Sequence, residues 1–396
     1  MLFGILISLA ILEVGFRSLY PDPSPKLVNQ GLQFHPTYGL AFTPNTEGWH
    51  TSLRGEYSSY VKINSKGLRG HEYDYTQGDN TYRILVLGDS FTAGLQVAEE
   101  ETFPKLLEAL LQAEFPRTNF EVINAGVIGY GTDNQLAYFT AEGYKYQPDL
   151  VLLAFFTGND ITDNIWYSLY DLENGQLVQV AAAQPPDPGA RAPGWSREGS
   201  TFRKVRTFLY SNSRLYSVSI ELLTLAAIQR VPALANLLIS LGLVEITQPV
   251  VNYGNIYAFR YLPEEAWIKT EALIVQLKRE VEANGGELLV AILPDETDVD
   301  EDRRSEIYDA YAHLTKEQAL SGPLPARHIA QLLQAQNISY VSLLAALQDH
   351  QRQTGEVLYY RYDGHWNAAG HAVAGQAIFQ YLIENRARSA SFPIGE

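Results

Sequence analysis

The chain has 396 residues and a formal net charge of −16; 46% of its residues are apolar and 19% are charged. This is the composition of a folded globular protein, which excludes disorder as the general state of the chain. An acidic balance without a basic stripe also excludes nucleic acid as a partner, and the lack of cysteine excludes disulfides, thiolate catalysis and cysteine-bound zinc.

The amino terminus begins with an apolar run, residues 1–16, which is interrupted by Glu13 and followed by Arg17. The run is shorter than the roughly 20 residues that span a bilayer, and it lacks the basic start and the small-residue cleavage site of a signal peptide. We expect residues 1–20 to be an uncleaved membrane anchor, with a buried helix as the alternative. Residues 21–80 are predicted to be a Pro-rich linker and a small β-rich extension, because stretches such as YVKIN alternate apolar and polar residues.

Five apolar runs follow from Tyr82 onward, and helical patterns lie between most of them. The runs contain RILVLG, NFEVINAG, DLVLLAFF, GELLVAIL and ISYVS. Strands that are buried on both faces and alternate with helices indicate an α/β protein with a parallel sheet. One of the helices is expected to open at Thr132, where Gln135 completes a capping box.

The α/β domain is predicted to extend over residues 81–390, and an insertion at about 161–262 interrupts it. The insertion contains the loop AAAQPPDPGARAPG and then a mostly helical stretch that ends near Leu243. An insertion of this length in a compact domain is usually a functional cover, and a decorative excursion is the alternative.

Polar motifs stand where several predicted strands end or in the loop beyond. They are GDS at 88–90, NAGVIG at 124–129, GND at 158–160 and DGHWN at 363–367. The carboxyl ends of parallel strands meet at one edge of a sheet, so we expect these motifs to lie close together. Their order is nucleophile, backbone donor, amide donor and acid-base pair, which suits acyl transfer.

Each of these residues has a definite role in that chemistry. Ser90 would attack a carbonyl carbon, His365 would take its proton, and Asp363 would hold the imidazole in the correct tautomer. The oxyanion would be bound by the N–H groups of Ser90 and Gly129 and by the side-chain amide of Asn159. Taken singly, each residue is more simply a helix cap or a turn residue, so the prediction depends on their conjunction.

On these four blocks the sequence resembles the SGNH hydrolases, also called GDSL-like esterases and lipases, from about Tyr82 to Leu382 apart from the insertion. The resemblance implies a flavodoxin-like parallel sheet with helices on both faces. It also implies hydrolysis of esters, often acyl groups on carbohydrates and lipids, without a metal or another cofactor. The apolar start, the GLRG segment at 67–70 and the insertion resemble a membrane-anchored bacterial subgroup, which implies a location in the envelope outside the cytoplasm.

Two positions depart from the pattern of that family. Thr157 stands where the family's third block usually has glycine. Asp363 and His365 are separated by Gly364 alone, whereas the usual spacing is Asp-x-x-His. A similar Asp-x-His-Trp block occurs in relatives that resemble the alginate O-acetylation proteins, which implies that transferase chemistry stays open.

Three aromatic residues are predicted to contact the substrate. Trp166 and Tyr167 follow the asparagine block, and Trp366 follows the presumed base. Their rings would stack on sugar faces or cover an acyl chain, while packing of the insertion onto the sheet is the alternative. His371 is expected to pack within a helix.

The sequence therefore predicts a serine esterase that removes O-acyl groups, above all acetyl, from carbohydrate or related esters through an acyl-enzyme on Ser90. One alternative is an O-acyltransferase that acts on an envelope or secreted polysaccharide. Another is a catalytically silent glycan-binding envelope protein. The expected partners are an acylated carbohydrate or lipid-like ester and, through the amino terminus, a membrane.

Overall fold

The structure is a computed structural model that describes residues 2–19, 27, 31–52, 55–166, 169–180, 209, 213–216, 219, 264–310 and 325–386. The strands are β1 (Leu32–His35), β2 (Gly39–Phe42), β3 (Glu47–Thr51), β4 (Ser58–Lys62), β5 (Thr81–Gly88), β6 (Asn119–Gly126), β7 (Leu150–Phe156), β8 (Tyr170–Glu173), β9 (Gln176–Gln179), β10 (Glu287–Leu293) and β11 (Ser339–Ser342). The helices are α1 (Leu2–Leu19), α2 (Ser90–Ala93), α3 (Phe103–Glu114), α4 (Thr132–Ala141), α5 (Asp160–Trp166), α6 (Glu264–Ala283), α7 (Glu296–Val299), α8 (Glu301–Ala310), α9 (Pro325–Ala335), α10 (Leu344–Thr354) and α11 (Ala368–Arg386).

The centre of the fold is a parallel sheet with the order β11–β10–β7–β5–β6. The five apolar runs predicted as strands are these five strands, so the parallel α/β class is confirmed. Counted along the chain, the order is 2-1-3-4-5, which is the flavodoxin-like arrangement. In such sheets the order in which strands are added reverses beside the first strand. The loops on the two sides of this point run to opposite faces of the sheet and leave a crevice between them. Here that crevice lies at the carboxyl ends of β5 and β7.

Helices cover both faces of the sheet. Leu85 and Leu87 pack on one face with residues of α4, α6 and α9, while Ile84 and Val86 pack on the other face with residues of α3, α10 and α11. All four side chains are at most 1% exposed. Successive residues of a strand point to opposite faces, so a strand covered on both faces needs an unbroken apolar run.

The amino-terminal extension consists of two antiparallel hairpins, β1 with β2 and β3 with β4. In β4 the exposed and buried residues alternate, which is the pattern of a strand with one covered face. Val61 and Ile63 are buried and belong to the same apolar cluster as Leu85 of the main sheet. The extension is therefore packed against the main sheet.

The first part of the insertion contains a hairpin that is absent from the elements predicted above. Strands β8 and β9 are joined by Asn174 and Gly175, whose φ angles are 51° and 77°. An Asn-Gly pair with two positive φ angles is the preferred two-residue hairpin turn, so this turn was visible in the sequence. The predicted Pro/Gly/Ala loop and almost all of the predicted helical stretch lie outside the described residues.

The start of helix α4 differs in one detail from the prediction. Helix α4 begins at Thr132 as predicted, but its cap is Gly131, whose N–H donates to Asn134 Oδ1 at 3.1 Å. The predicted role of Gln135 in the capping box is wrong because the side chain that reaches back is one position earlier.

Among the described residues, no helix is long and apolar enough to cross a membrane, and this includes α1 at the predicted anchor.

Candidate active site

Ser90, His365 and Asp363 form a continuous chain of hydrogen bonds. His365 Nε2 lies 2.7 Å from Ser90 Oγ, and His365 Nδ1 lies 2.6 Å from Asp363 Oδ1. Ser90 follows β5, whereas the other two residues lie in the loop before α11, 275 positions later in the case of His365. The structure therefore brings together the three residues in which the sequence suggested a nucleophile, a base and an orienting acid.

The charges at this site favour a base that is oriented and ready to accept a proton. Burial alone would raise the pKa of Asp363, but His365 and the hydroxyl of Tyr57 lower it to about 2. Burial works against a charge on His365, but the carboxylate of Asp363 outweighs it and places the pKa of His365 above its ordinary value of 6.5. Asp363 is therefore an anion over the whole working pH range of a histidine base.

A glycine makes the short Asp-Gly-His spacing compatible with this contact. Gly364 has a φ of 81°, in the left-handed region that side chains with a Cβ rarely adopt. Its N–H donates to Tyr360 O at 2.8 Å, and Tyr360 N–H donates to His365 O at 2.8 Å. The tight turn folds the acid back onto the imidazole, so one intervening residue suffices.

Ser90, the candidate nucleophile, stands at the start of a short helix. Asp89 is the cap of α2, since its Oδ1 accepts a hydrogen bond from Phe91 N–H at 2.9 Å, and Ser90 is the first helical residue. The simpler interpretation of Ser90 as the cap is thus wrong by one position. Asp89 is fully buried, and burial raises its pKa to about 6.

The three predicted oxyanion donors follow three different strands at the same edge of the sheet. Ser90 follows β5, Gly129 follows β6 with a φ of 78°, and Asn159 follows β7. The backbone oxygen of Asn159 accepts hydrogen bonds at 2.8 Å from Asp163 N–H and Thr162 Oγ1, which fixes this residue at the start of α5. The positive φ of Gly129 explains the glycine at that position.

Arg69, from the GLRG segment, holds the backbone that follows the nucleophile. Its guanidinium donates to the carbonyl oxygens of Ala93 at 2.8 Å, of Val97 at 2.6 Å, and of Gly94. The side chain is 3% exposed, and burial lowers its pKa to about 10, so it stays charged near neutral pH. In the sequence this segment indicates only the subgroup resemblance, and no local pattern predicts its contact with α2.

A second contribution of the extension was also missed. Tyr57, just before β4, donates a hydrogen bond from its hydroxyl to Asp363 Oδ2 at 3.0 Å. The next residue back, Glu56, accepts a hydrogen bond at its Oε1 from Tyr362 N–H at 2.9 Å. The partners are more than 300 positions apart in the chain, so no local pattern indicates either contact.

The aromatic predictions have different outcomes. Trp366 is fully buried and packs edge-on against Phe91 and Phe103, with ring centroids 5.2 and 6.2 Å apart. The structure therefore assigns Trp366 to the core and not to the substrate surface, because packing holds its ring away from solvent. Tyr167 and the side chain of Trp166 lie outside the described residues.

His371 is a packing residue, as expected. It is 1% exposed within α11, and its Nδ1 lies 3.3 Å from Phe103 N–H. Burial lowers its pKa to about 3, so the ring is neutral at ordinary pH.

The comparisons with known protein families agree with this arrangement. Residues 86–216 match the model of the GDSL-like lipase/acylhydrolase family. Residues 260–391 match the model of the SGNH hydrolase-like domain of the acetyltransferase AlgX. The chain therefore contains SGNH/GDSL-like hydrolase sequence, with Ser90 in the first match and Asp363 and His365 in the second.

Individual relatives are more distant. An arylesterase from Vibrio mimicus is 34% identical over 120 residues, which are 28% of this chain and 58% of the arylesterase, so the match spans little more than half of that relative. An acetylxylan esterase from Geobacillus stearothermophilus aligns over 76% of this chain and 93% of its own, at 13% identity and a TM-score of 0.38. A two-domain esterase active on acetylated mannans aligns over 80% of this chain and 52% of its own, at 13% identity and a TM-score of 0.38.

Proposed function

We propose that the chain is a serine esterase that removes O-acyl groups, above all acetyl, from carbohydrate or related esters. The observation that carries the proposal is the hydrogen-bonded chain from Ser90 Oγ through His365 to Asp363. A serine hydroxyl is a weak nucleophile unless a base takes its proton, and this geometry supplies the base and the group that orients it.

In the first step, Ser90 Oγ attacks the ester carbonyl while its proton passes to His365 Nε2. The carbonyl oxygen becomes an oxyanion, for which the N–H groups of Ser90 and Gly129 and the amide of Asn159 are the proposed donors. The imidazolium then gives its proton to the leaving alcohol as the carbon–oxygen bond breaks. The product of this half-reaction is an acyl group on Ser90.

In the second step, His365 takes a proton from water, and the water oxygen forms a bond to the acyl carbon. The bond between the acyl carbon and Ser90 Oγ then breaks. The acid leaves, and the proton on His365 returns to the serine. Asp363 keeps its charge throughout and stabilises the imidazolium in both steps. If a sugar hydroxyl takes the place of water, the same site is an O-acyltransferase.

Transfer to a polysaccharide hydroxyl is the second candidate function, and one observation favours it. The histidine half of the site, residues 260–391, matches the model of an acetyltransferase domain, while the serine half matches a lipase/acylhydrolase model. Both functions share the acyl-enzyme and differ in what resolves it. An acetylated polysaccharide or oligosaccharide is the proposed substrate in either case.

The first experiment measures turnover of p-nitrophenyl acetate by the full chain and by Ser90→Ala. We expect turnover to fall by about 10³-fold or more in this variant, because no other group replaces the nucleophile and only the oxyanion donors and substrate binding remain. Ser342→Ala, at the exposed end of β11, is the matched control and should retain wild-type turnover. Activity that persists in Ser90→Ala would contradict the proposed mechanism.

Hydrolase and transferase are then separated with one acetylated oligosaccharide and one unacetylated acceptor. Release of free acetate identifies the esterase, and mass spectrometry of an acetylated acceptor identifies the transferase. If a fluorophosphonate labels Ser90 but neither free acetate nor an acetylated acceptor is formed, the serine is reactive and its acceptor is a different compound. If nothing labels Ser90, the silent glycan-binding alternative is favoured.

Attachment to a membrane and an envelope location are separate proposals. Their support is the apolar run of residues 1–16, in which Glu13 is paired with Arg17 at 2.7 Å. Fractionation tests them by comparing the full chain with a chain that starts at residue 21. Equal amounts of both chains in the soluble fraction would contradict the attachment.

A further inference from the structure

We propose that Tyr57 of the amino-terminal extension is a positioning residue of the active site, which acts through Asp363 and completes a polar chain that reaches Ser90. The inference rests on the proposed serine mechanism. Tyr57 lies before residue 86, outside the segments that match the two hydrolase models. Neither match assigns a role to it.

The geometry around Asp363 carries the proposal. Its two carboxylate oxygens each have one partner, since Oδ1 pairs with His365 Nδ1 at 2.6 Å and Oδ2 accepts from the Tyr57 hydroxyl at 3.0 Å. A carboxylate held at both oxygens cannot rotate about its terminal bond without breaking a charge-assisted hydrogen bond. The hydroxyl therefore fixes the plane of the carboxylate toward the imidazole.

The short turn gives a physical reason for this second support. Asp363 and His365 sit on either side of Gly364, whose left-handed conformation gives the turn its shape but provides no side chain to hold it. Glycine is the most flexible residue, so a turn of this kind costs more conformational entropy to fix. A hydrogen bond from outside the loop offsets that freedom.

Tyr57 is itself held in place by His50 and Tyr360, and its neighbour Glu56 adds a further contact with the loop. Its ring stacks on His50 and lies beside Tyr360, with ring centroids 5.3 and 5.2 Å apart. Its hydroxyl lies 3.3 Å from His50 Nε2, and Glu56 accepts a hydrogen bond from Tyr362 N–H. The connection between β3 and β4 thus packs against the loop that carries Asp363 and forms hydrogen bonds with it.

The direction of the hydrogen bonds follows from the number of protons. Tyr57 has one hydroxyl proton, and a carboxylate can only accept, so that proton points to Asp363. Burial and the nearby Asp363 raise the pKa of Tyr57, which keeps the hydroxyl protonated at every assay pH. Burial lowers the pKa of His50 to about 4, so His50 is neutral and Nε2 is the donor to the Tyr57 oxygen.

The hydroxyl also has an electrostatic effect that packing alone would not have. By donating to Asp363 it draws part of the carboxylate charge away from His365. Without the hydroxyl, the carboxylate of Asp363 should interact more strongly with the imidazolium, which should raise the pKa of His365. Among the described residues, three further ionisable side chains interact electrostatically with His365: Asp89, His50 and His371. The positive charge of Arg69 lowers the pKa of both His50 and His371.

The test is Tyr57→Phe in the full chain, which keeps the ring and removes the hydroxyl. We expect kcat to fall about 5- to 20-fold with KM changed less than about twofold, as for the loss of one hydrogen bond to a charged group. We also expect the acid limb of the pH–rate profile to move up by about 0.5 pH unit. Tyr60→Phe, in the same hairpin but 40% exposed, is the matched control and should match wild type.

A second readout does not depend on turnover. Proton NMR can follow the Nδ1–H resonance of His365 through a pH titration, with His365→Asn identifying the signal among the eight histidines. The inference is supported if Tyr57→Phe raises the pKa of His365 relative to wild type and Tyr60→Phe. It is overturned if the two variants share the wild-type pKa and the wild-type kcat.

The two proposals can fail separately. A wild-type chain without Ser90-dependent turnover would overturn the esterase, while the NMR titration would still decide the role of Tyr57. Normal turnover that is the same in wild type and Tyr57→Phe would retain the esterase and overturn the role of Tyr57. A large loss of thermal stability in Tyr57→Phe with an unchanged His365 pKa would assign Tyr57 to structure alone.

Discussion

His365 is held between two oxygen atoms, Ser90 Oγ on one side and Asp363 Oδ1 on the other. An imidazole has two nitrogens with different roles, and a contact at Nδ1 decides whether Nε2 can accept a proton. The carboxylate at Nδ1 requires a donor there. Nε2 is then the acceptor that faces the serine.

Replacing Asp363 with Asn should reverse this tautomer. The asparagine amide can donate to Nδ1, which would place the imidazole proton on Nε2, where it blocks acceptance from Ser90. We expect kcat for p-nitrophenyl acetate to fall about 10³- to 10⁴-fold, the size seen for this change in serine protease triads. Asp349→Asn, on the exposed face of α10, is the control. A loss of less than about tenfold would show that Asp363 does not orient the base.

The pH dependence of turnover follows from the sign of the shift on His365. Its pKa is raised, so the imidazole keeps its proton to a higher pH than a free histidine does. Only the neutral ring accepts from Ser90, so activity should be absent well below this pKa and should rise as pH passes through it. The midpoint of kcat/KM against pH is expected above about 6.5. A midpoint well below that value would contradict the pairing with Asp363 in the free enzyme.

The element that carries the proposed nucleophile, α2, is short and depends on contacts from other elements. Asp89 caps its start, and Arg69 binds the carbonyl oxygens at and beyond its end. A helix of one turn has little stability of its own, so these contacts decide its position. Gly126 lies close against it, since a Cβ at this position would come within 2.5 Å of Ala93 N.

Replacing Arg69 with Met tests this dependence. The variant keeps much of the packing volume but removes a donor from three carbonyl oxygens, of which only Gly94 O keeps a backbone partner, Val97 N–H at 3.2 Å. We expect a loss of about 3 kcal/mol in the free energy of unfolding, since the abandoned groups stay buried. We also expect turnover to fall because Ser90 is displaced. Arg352→Met, whose side chain is 71% exposed, should change stability by less than about 0.5 kcal/mol.

The turn of the β8–β9 hairpin shows how a local signal can be overlooked. ENGQ lies between short apolar-polar alternations, which predicts a hairpin on its own. The region was predicted only as one undivided insertion, so the hairpin within it was not predicted. The buried position of Trp366 was harder to predict, because an aromatic residue next to a base suits both a substrate surface and a core.

Across the whole molecule, stability depends on several buried ionisable groups. Burial raises the pKa of Asp89 to about 6 and of Asp133 to about 7, and it raises the pKa of Asp160 well above the ordinary value. Burial lowers the pKa of His50 to about 4 and of His371 to about 3. The buried carboxyls favour the folded chain at low pH, whereas below about 6.5 the two histidines oppose this.

Asp133 offers the clearest test. Its folded pKa lies above its unfolded value, so between about pH 4 and pH 7 the folded chain holds a proton that the unfolded chain has lost. That stabilisation is present at low pH and is lost as pH rises through about 7. Asp133→Asn cannot titrate, so its destabilisation should be smaller at about pH 8 than at about pH 5, by about 2 kcal/mol. Denaturant unfolding at the two pH values measures this, and an equal penalty at both would show that Asp133 is ionised throughout.

The sequence could predict the central sheet because each strand is an unbroken apolar run, and it could predict the meeting of Ser90, Asp363 and His365 because parallel strands end at one edge. It could not predict which residues of the extension reach that edge. Tyr57 and Asp363 are 306 positions apart, and their contact follows from the packing of a hairpin on a loop. Side-chain contacts between separate elements depend on the folded geometry, which local patterns do not encode.

The separation of 275 positions between Ser90 and His365 also has a consequence during synthesis. A chain is made from its amino terminus, so the serine leaves the ribosome long before its base exists. A half-made chain can form strands and helices, but its serine is only an ordinary alcohol. The proposed reactivity of Ser90 can therefore begin only after the loop before α11 has been made and His365 has reached the serine.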